Sequence, residues 1–212
     1  MDLAKKWHED LLKERLVKGL EKNGFEVQIY ADCQAALTQI LASIPLAATV
    51  GVGGSKTLQE VGLPEALARR GNLLYDHSKA SSPEEAQKIR RQQLGADIFL
   101  TSTNALTLDG KLVNTDGVGN RVAAMTFGPA RVIVVCGLNK LVADVPAAMQ
   151  RIENIAAPIN AKRLNKATPC TQTGYCCKCN VPDNICRVTT IFNKKPSQTK
   201  IEIVVIEENL GY

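Results

Sequence analysis

Five of the seven cysteines, Cys170, Cys176, Cys177, Cys179 and Cys186, fall within seventeen consecutive residues. Thiolates are soft metal ligands, and Cys176 and Cys179 have the C-x-x-C spacing that lets two sulfurs approach one tetrahedral ion. Cys170 and Cys186 flank that pair at separations a loop can close, so these four are the predicted metal ligands, with Cys177 in excess. Gly174, Asn180, Pro182, Asp183 and Asn184 provide the turn chemistry to wrap such a loop. Four thiolates suit either zinc or an iron–sulfur cluster, although the spacing differs from the closely spaced bacterial ferredoxin run. Free surface thiols, or a redox pair at Cys176 and Cys179, are the readings that need no metal. Cys33 and Cys136 fall in a predicted helix and a predicted buried strand, where cysteine serves as a small core residue.

A second kind of chemistry is suggested by glycine turns. Gly51-Val52-Gly53-Gly54-Ser55-Lys56-Thr57 follows a continuous apolar run. Glycines let a backbone approach a phosphate or carboxylate closely, Ser55 and Thr57 can donate hydroxyl bonds, and Lys56 adds charge. The nucleotide P-loop pattern fails because Ser55 stands where a glycine must precede the lysine. The dinucleotide fingerprint fails because Lys56 takes the place of its third glycine. Farther on, the polar stretch Asn104 to Arg121 offers Asp109 and Asp116 as general bases and Asn104, Lys111, Asn120 and Arg121 as anion contacts. The plainer reading makes Asp109-Gly110 a hairpin turn, Asp116 a helix cap and Arg121 a surface charge.

These residues need a scaffold, and a chain of 212 residues with 45% apolar content can bury one sizeable core. Leu3, Trp7, Leu11, Leu12, Leu16 and Leu20 predict an opening amphipathic helix that stops at Asn23-Gly24. Strands are expected at Phe25–Ile29, within Leu46–Val52, and at Asn72–Tyr75, Asp97–Thr101, Ala105–Leu108, Leu112–Asn114, Arg131–Cys136 and Lys200–Ile206. Helices between them, including one over residues 145–163 and one opened by Ser82-Pro83-Glu84-Glu85, imply an α/β fold: a mainly parallel sheet with helices on both faces. In such sheets ligands bind beyond the carboxyl ends of the strands. The last fifty residues change character, because residues 169–187 have neither helical nor strand periodicity.

No apolar run approaches a membrane span, and Met1-Asp2-Leu3-Ala4-Lys5-Lys6 lacks the apolar centre of a secretory signal, so a cytoplasmic protein is expected. The net charge of +5 is spread along the chain with few accompanying aromatics, which argues against a nucleic-acid partner.

Three segments carry a family resemblance: Gly53-Gly54-Ser55-Lys56-Thr57-Leu58-Gln59-Glu60-Val61-Gly62, Thr101–Ala105 through Asp109-Gly110, and Gly119-Asn120-Arg121-Val122-Ala123-Ala124. Residues 1–165 resemble the LUD (lactate-utilisation) domain family, and residues 166–212 add the cysteine-rich segment and a C-terminal strand to the same domain. The resemblance implies the fold of sugar-phosphate isomerases and CoA transferases, with Gly53, Gly54, Ser55 and Thr57 cradling a ligand. It also implies a place in the oxidation of lactate-type organic acids, with a small carboxylate or phosphate as ligand, redox subunits as partners and an iron–sulfur theme that the cysteines fit. The alternatives carried forward are an isomerase- or transferase-type enzyme for a sugar phosphate or acyl-CoA, and a sensor or partner subunit without turnover.

Overall fold

The computed structural model describes residues 2–212. In chain order its elements begin with α1 (Leu3–Lys22), β1 (Glu26–Tyr30), α2 (Cys33–Ser43), β2 (Val50–Val52), α3 (Lys56–Val61), α4 (Leu63–Arg70) and β3 (Leu74–Asp76). They continue with α5 (Pro83–Leu94), β4 (Ile98–Thr101), β5 (Ala105–Thr107), β6 (Leu112–Asp116), α6 (Asn120–Thr126) and β7 (Arg131–Gly137). The chain then forms β8 (Leu141–Val142), α7 (Val145–Arg151), α8 (Ala157–Arg163), α9 (Cys170–Thr173), β9 (Val188–Phe192) and β10 (Lys200–Ile206).

Local chemistry sets most helix starts. Side-chain oxygens of Asp32, Ser55, Ser82 and Asp144 accept amide bonds at the first turns of α2, α3, α5 and α7. Gly62, in the left-handed region, ends α3, and Pro64 then sits at the start of α4. The single helix expected over residues 145–163 is continuous but carries a π turn at Ile152–Ala156. Pro158 accounts for it, since its ring crowds the carbonyl one turn earlier and has no amide to donate.

Six strands form a parallel sheet in the order β1-β10-β7-β4-β2-β3. Along β7, Val132, Val134 and Cys136 enter one core, while Ile133 and Val135 enter the other; Ile201, Ile203 and Val205 of β10 alternate with Val204 and Ile206 in the same way. Burial on both faces explains why these strands read as unbroken apolar runs. One core lies against Leu16 and Leu20 of α1, the other against α2, α3 and α4. The first turns of α1 depart from the expectation of a fully packed amphipathic helix: Leu3, Trp7 and Leu11 are exposed.

Two further departures concern strands. The apolar run from Leu46 yields only Val50–Val52, because the Asn72 amide ties down the carbonyls of Pro45, Leu46 and Ala48 as a turn. The expected hairpin at Asp109-Gly110 forms, but outside the main sheet, in a second sheet ordered β8-β5-β6-β9. Its strand β9, which the sequence pattern did not reveal, runs antiparallel to β6 from Val188 opposite Asp116 to Phe192 opposite Leu112. Among the described residues no helix is long and apolar enough to cross a membrane.

Candidate functional site

In the six-stranded sheet the chain leaves β2 for β3 on one side, while β4 leads toward β7 on the other. Such a switch point opens a crevice at the carboxyl ends of the strands. Three loops meet there. Gly53–Ser55 follows β2, Ser102–Asn104 follows β4, and Leu138–Lys140 follows β7.

Lys140 stands at the junction, only 3% exposed. Its Nζ donates to Thr57 Oγ1 and to Ser102 Oγ, both at 2.8 Å, so the ammonium ties the ends of β2, β4 and β7 together. No carboxylate of the described residues pairs with it. Burial pushes its pKa down to about 8, with the nearby positive charges of Arg151 and Arg121 acting the same way. Cys136 lies beneath in β7, but burial raises its thiol to about 11, so at neutral pH it supplies no compensating charge. Arg151 is likewise buried and, among the described residues, donates only to the carbonyls of Asn139 (2.9 Å) and Asn104 (2.6 Å). Two buried cations without carboxylate partners give the crevice a positive field.

Ser102 links this junction to a second node. Arg121 at the start of α6 donates to the Ser102 carbonyl (3.3 Å), to Asn104 Oδ1 (2.8 Å) and to the Thr115 carbonyl (3.1 Å), and it pairs with Asp116 at 2.6 Å. The other Asp116 oxygen accepts the Val122 amide at 3.0 Å. Asn114, fully buried on β6, accepts the Asn104 amide, yet its own Nδ2 has no partner among the described residues.

A third group lines the β2 and β3 side. Gln93, fully buried, donates to the Val52 carbonyl (2.8 Å) and to His77 Nδ1 (3.0 Å), and accepts from Asn120 Nδ2 (3.3 Å). The other ring nitrogen of His77 faces the open side of Gly54, where an added Cβ would come within 3.4 Å. Burial, and next the charge of Arg90, lowers the His77 pKa, which favours the neutral ring and leaves Nε2 as a donor.

The C-terminal segment after β10 crosses this crevice. Thr57 Oγ1 donates to the Leu210 carbonyl (3.3 Å), the Gly211 amide donates to Glu60 (2.6 Å), and Asn139 Oδ1 accepts the Leu210 amide (3.1 Å). Gly211 has a positive φ of 58°, and a Cβ there would lie 2.5 Å from Thr57 Oγ1, so only glycine passes this close.

Of the residues singled out in the sequence, Gly53, Gly54 and Ser55 form the turn after β2 and Lys56 and Thr57 open α3, with Ser55 capping the helix and Thr57 touching Lys140. Asn104, Asp116 and Arg121 come together in the second node, and Asn120 joins Gln93. Asp109 stands apart from Asp116, beyond the opposite end of β6, paired with Lys111 at 2.7 Å in a turn pressed on Gly19 of α1. The cysteines of residues 170–186 lie on a different loop, and among the described residues no three Cys, His, Asp or Glu side chains are grouped as ligands of one ion. Lys140 and Ser102 were not among the predicted site residues. Their signal was positional: each is a polar residue soon after a largely apolar strand.

The sequence profile of the LUD domain family matches residues 13–206. The chain belongs to the LUD domain family. The match extends past residue 165, through the cysteine loop to the end of β10, and supports a lactate-utilisation-type role in the broad sense. No curated protein matches the chain. Among solved structures, a DUF162 family protein from Deinococcus radiodurans is similar with a TM-score of 0.53 and 14% identity, over 93% of this chain and 97% of that one. At that identity the likeness is one of fold, and it agrees with an α/β LUD domain built on a parallel sheet.

Proposed function

We propose that this LUD domain binds a small organic-acid or phosphate anion in the crevice at the carboxyl ends of β2, β4 and β7. The observation that carries the reading is Lys140, a buried ammonium held by two hydroxyls and by no carboxylate. Burying a charge without a counter-charge is costly, and a site that gains an anion recovers that cost as affinity. Thr57 and Ser102 can turn their hydroxyls toward the ligand, the glycine turn Gly53-Gly54 admits it beside the backbone, and neutral His77 offers Nε2 from the flank. Arg121, Asn104 and Asp116 act as the frame that holds Ser102, since the Arg121 guanidinium, Asn104 Oδ1 and both Asp116 oxygens already have protein partners.

In this reading the Leu210–Gly211 segment is displaced, at least from Thr57, when the anion enters. Lactate, pyruvate and inorganic phosphate, each titrated against the purified chain by thermal shift, test the proposal. At least one should raise the melting temperature in a saturable way, and Lys140→Met should abolish the rise. Undiminished stabilisation of Lys140→Met, or no stabilisation of wild type by any of the three, would overturn it.

A further inference from the structure

We propose that Cys170, Cys176, Cys179 and Cys186 form one four-thiolate centre for a thiophilic transition-metal ion or cluster, with Cys177 outside it. The inference is independent of the anion crevice.

The first support is how the sulfurs are hydrogen bonded. The Lys178 amide donates to Cys176 Sγ and the Asn184 side-chain amide to Cys179 Sγ, both at 3.4 Å, while the Thr168 hydroxyl lies 3.2 Å from Cys170 Sγ. Donors aimed at sulfur stabilise thiolates and are the outer partners that tune metal-bound ones. Cys177 differs in that its thiol is placed to donate to the Tyr175 carbonyl, with the Thr173 hydroxyl 3.4 Å from its sulfur. Lys178 has a positive φ of 47°, a conformation a lysine adopts only when its surroundings require it, and this turns its amide back onto Cys176.

The second support is position. Asn184 ties Cys186 to Cys179, since its Oδ1 accepts the Cys186 amide at 2.6 Å while its Nδ2 donates to Cys179 Sγ. Among the described residues no three of these side chains are grouped as ligands of one ion, so binding must draw the sulfurs inward. The segment is free to do so, because no residue from Pro169 to Arg187 is buried.

The third support is energetic. Ordering a loop costs roughly 1–2 kcal/mol per residue in backbone entropy. This segment has neither an apolar core nor, beyond the four-residue α9, regular structure to offset it. Metal–thiolate bonds are a known source of that stabilisation in small cysteine-rich segments. The centre would also brace the main domain, since Ile185 packs on Gly117 and the Arg187 amide donates to the Asp116 carbonyl at 2.9 Å.

Metal content and acid-labile sulfide, measured on the full chain purified without air, test the assignment. Wild type and Cys177→Ser should carry stoichiometric zinc, or iron with sulfide, whereas Cys176→Ser with Cys179→Ser should carry roughly tenfold less or none, and Asn184→Ala should weaken retention against a chelator by roughly tenfold. Zinc and iron–sulfide both uphold the centre and distinguish a structural clip from an electron carrier. If the cysteine variants do not fold, cobalt(II) titration of reduced wild type gives an independent reading through its thiolate-to-metal charge-transfer absorption. The proposal is overturned by wild type that binds neither native metal nor cobalt, or by Cys177→Ser losing metal as completely as the double variant.

Discussion

The crevice around Lys140 and the loop from Pro169 to Arg187 are both rich in polar groups, yet they are held in opposite ways. Lys140, Thr57 and Ser102 hang from the ends of strands whose side chains fill two cores, so their geometry is imposed by packing before any ligand arrives. The cysteine loop has no buried residue and depends on hydrogen bonds at its own surface. The difference teaches where each site's binding energy goes. A preformed crevice spends it on affinity, whereas an unsupported loop spends it on order.

The contrast breaks most severely if the packed region is attacked at its tightest contact. A Cβ on Gly110 would sit on the backbone of Gly19, and the position has a φ of +80°. Gly110→Ala should therefore destabilise the fold by about 3 kcal/mol or more, read as a lowered midpoint in urea with the slope unchanged. A smaller effect of opposite sign is expected at Lys140. Removing a buried charge that lacks a counter-charge should make Lys140→Met more stable than wild type by about 1–3 kcal/mol without ligand.

The pH dependence sharpens that point. Folded Lys140 loses its proton near pH 8, whereas an ordinary lysine in the unfolded chain keeps it to about 10.5. Between those values the unfolded state binds more protons, so stability rises with pH; below pH 8 the burial penalty is present in full. The wild-type minus Lys140→Met difference in unfolding free energy should narrow over this window, and a flat difference would show that Lys140 is not held as a depressed ammonium. The smallest effect belongs to the loop: Tyr175 is 57% exposed, and Tyr175→Ala should change stability by less than about 0.5 kcal/mol.

Much of the main sheet was legible because its signals are local. The Ser82-Pro83-Glu85 start of α5 and the apolar runs of β4 and β7 announce themselves within a few residues. The glycine turn after β2 was legible for the same reason. Strand β9 was not, because Val188–Phe192 is mostly exposed and is a strand only by pairing with β6, far away in sequence. Lys140 escaped notice on similar grounds. Nothing beside it marks it as special until β7 lies next to β4, and β4 next to β2.

By itself the sequence determined the alternation of strands and helices, the parallel character of the main sheet, the position of the glycine turn and the gathering of thiols in one segment. Those properties follow from hydrophobic periodicity, capping residues and spacing, which act over a few residues. Only the tertiary structure decided that β10 enters between β1 and β7, that the hairpin leaves for a second sheet, and that Lys140 meets Thr57 and Ser102 without a carboxylate. These depend on which distant surfaces bury one another, and on how much water that burial removes from a charge, quantities that no local pattern contains.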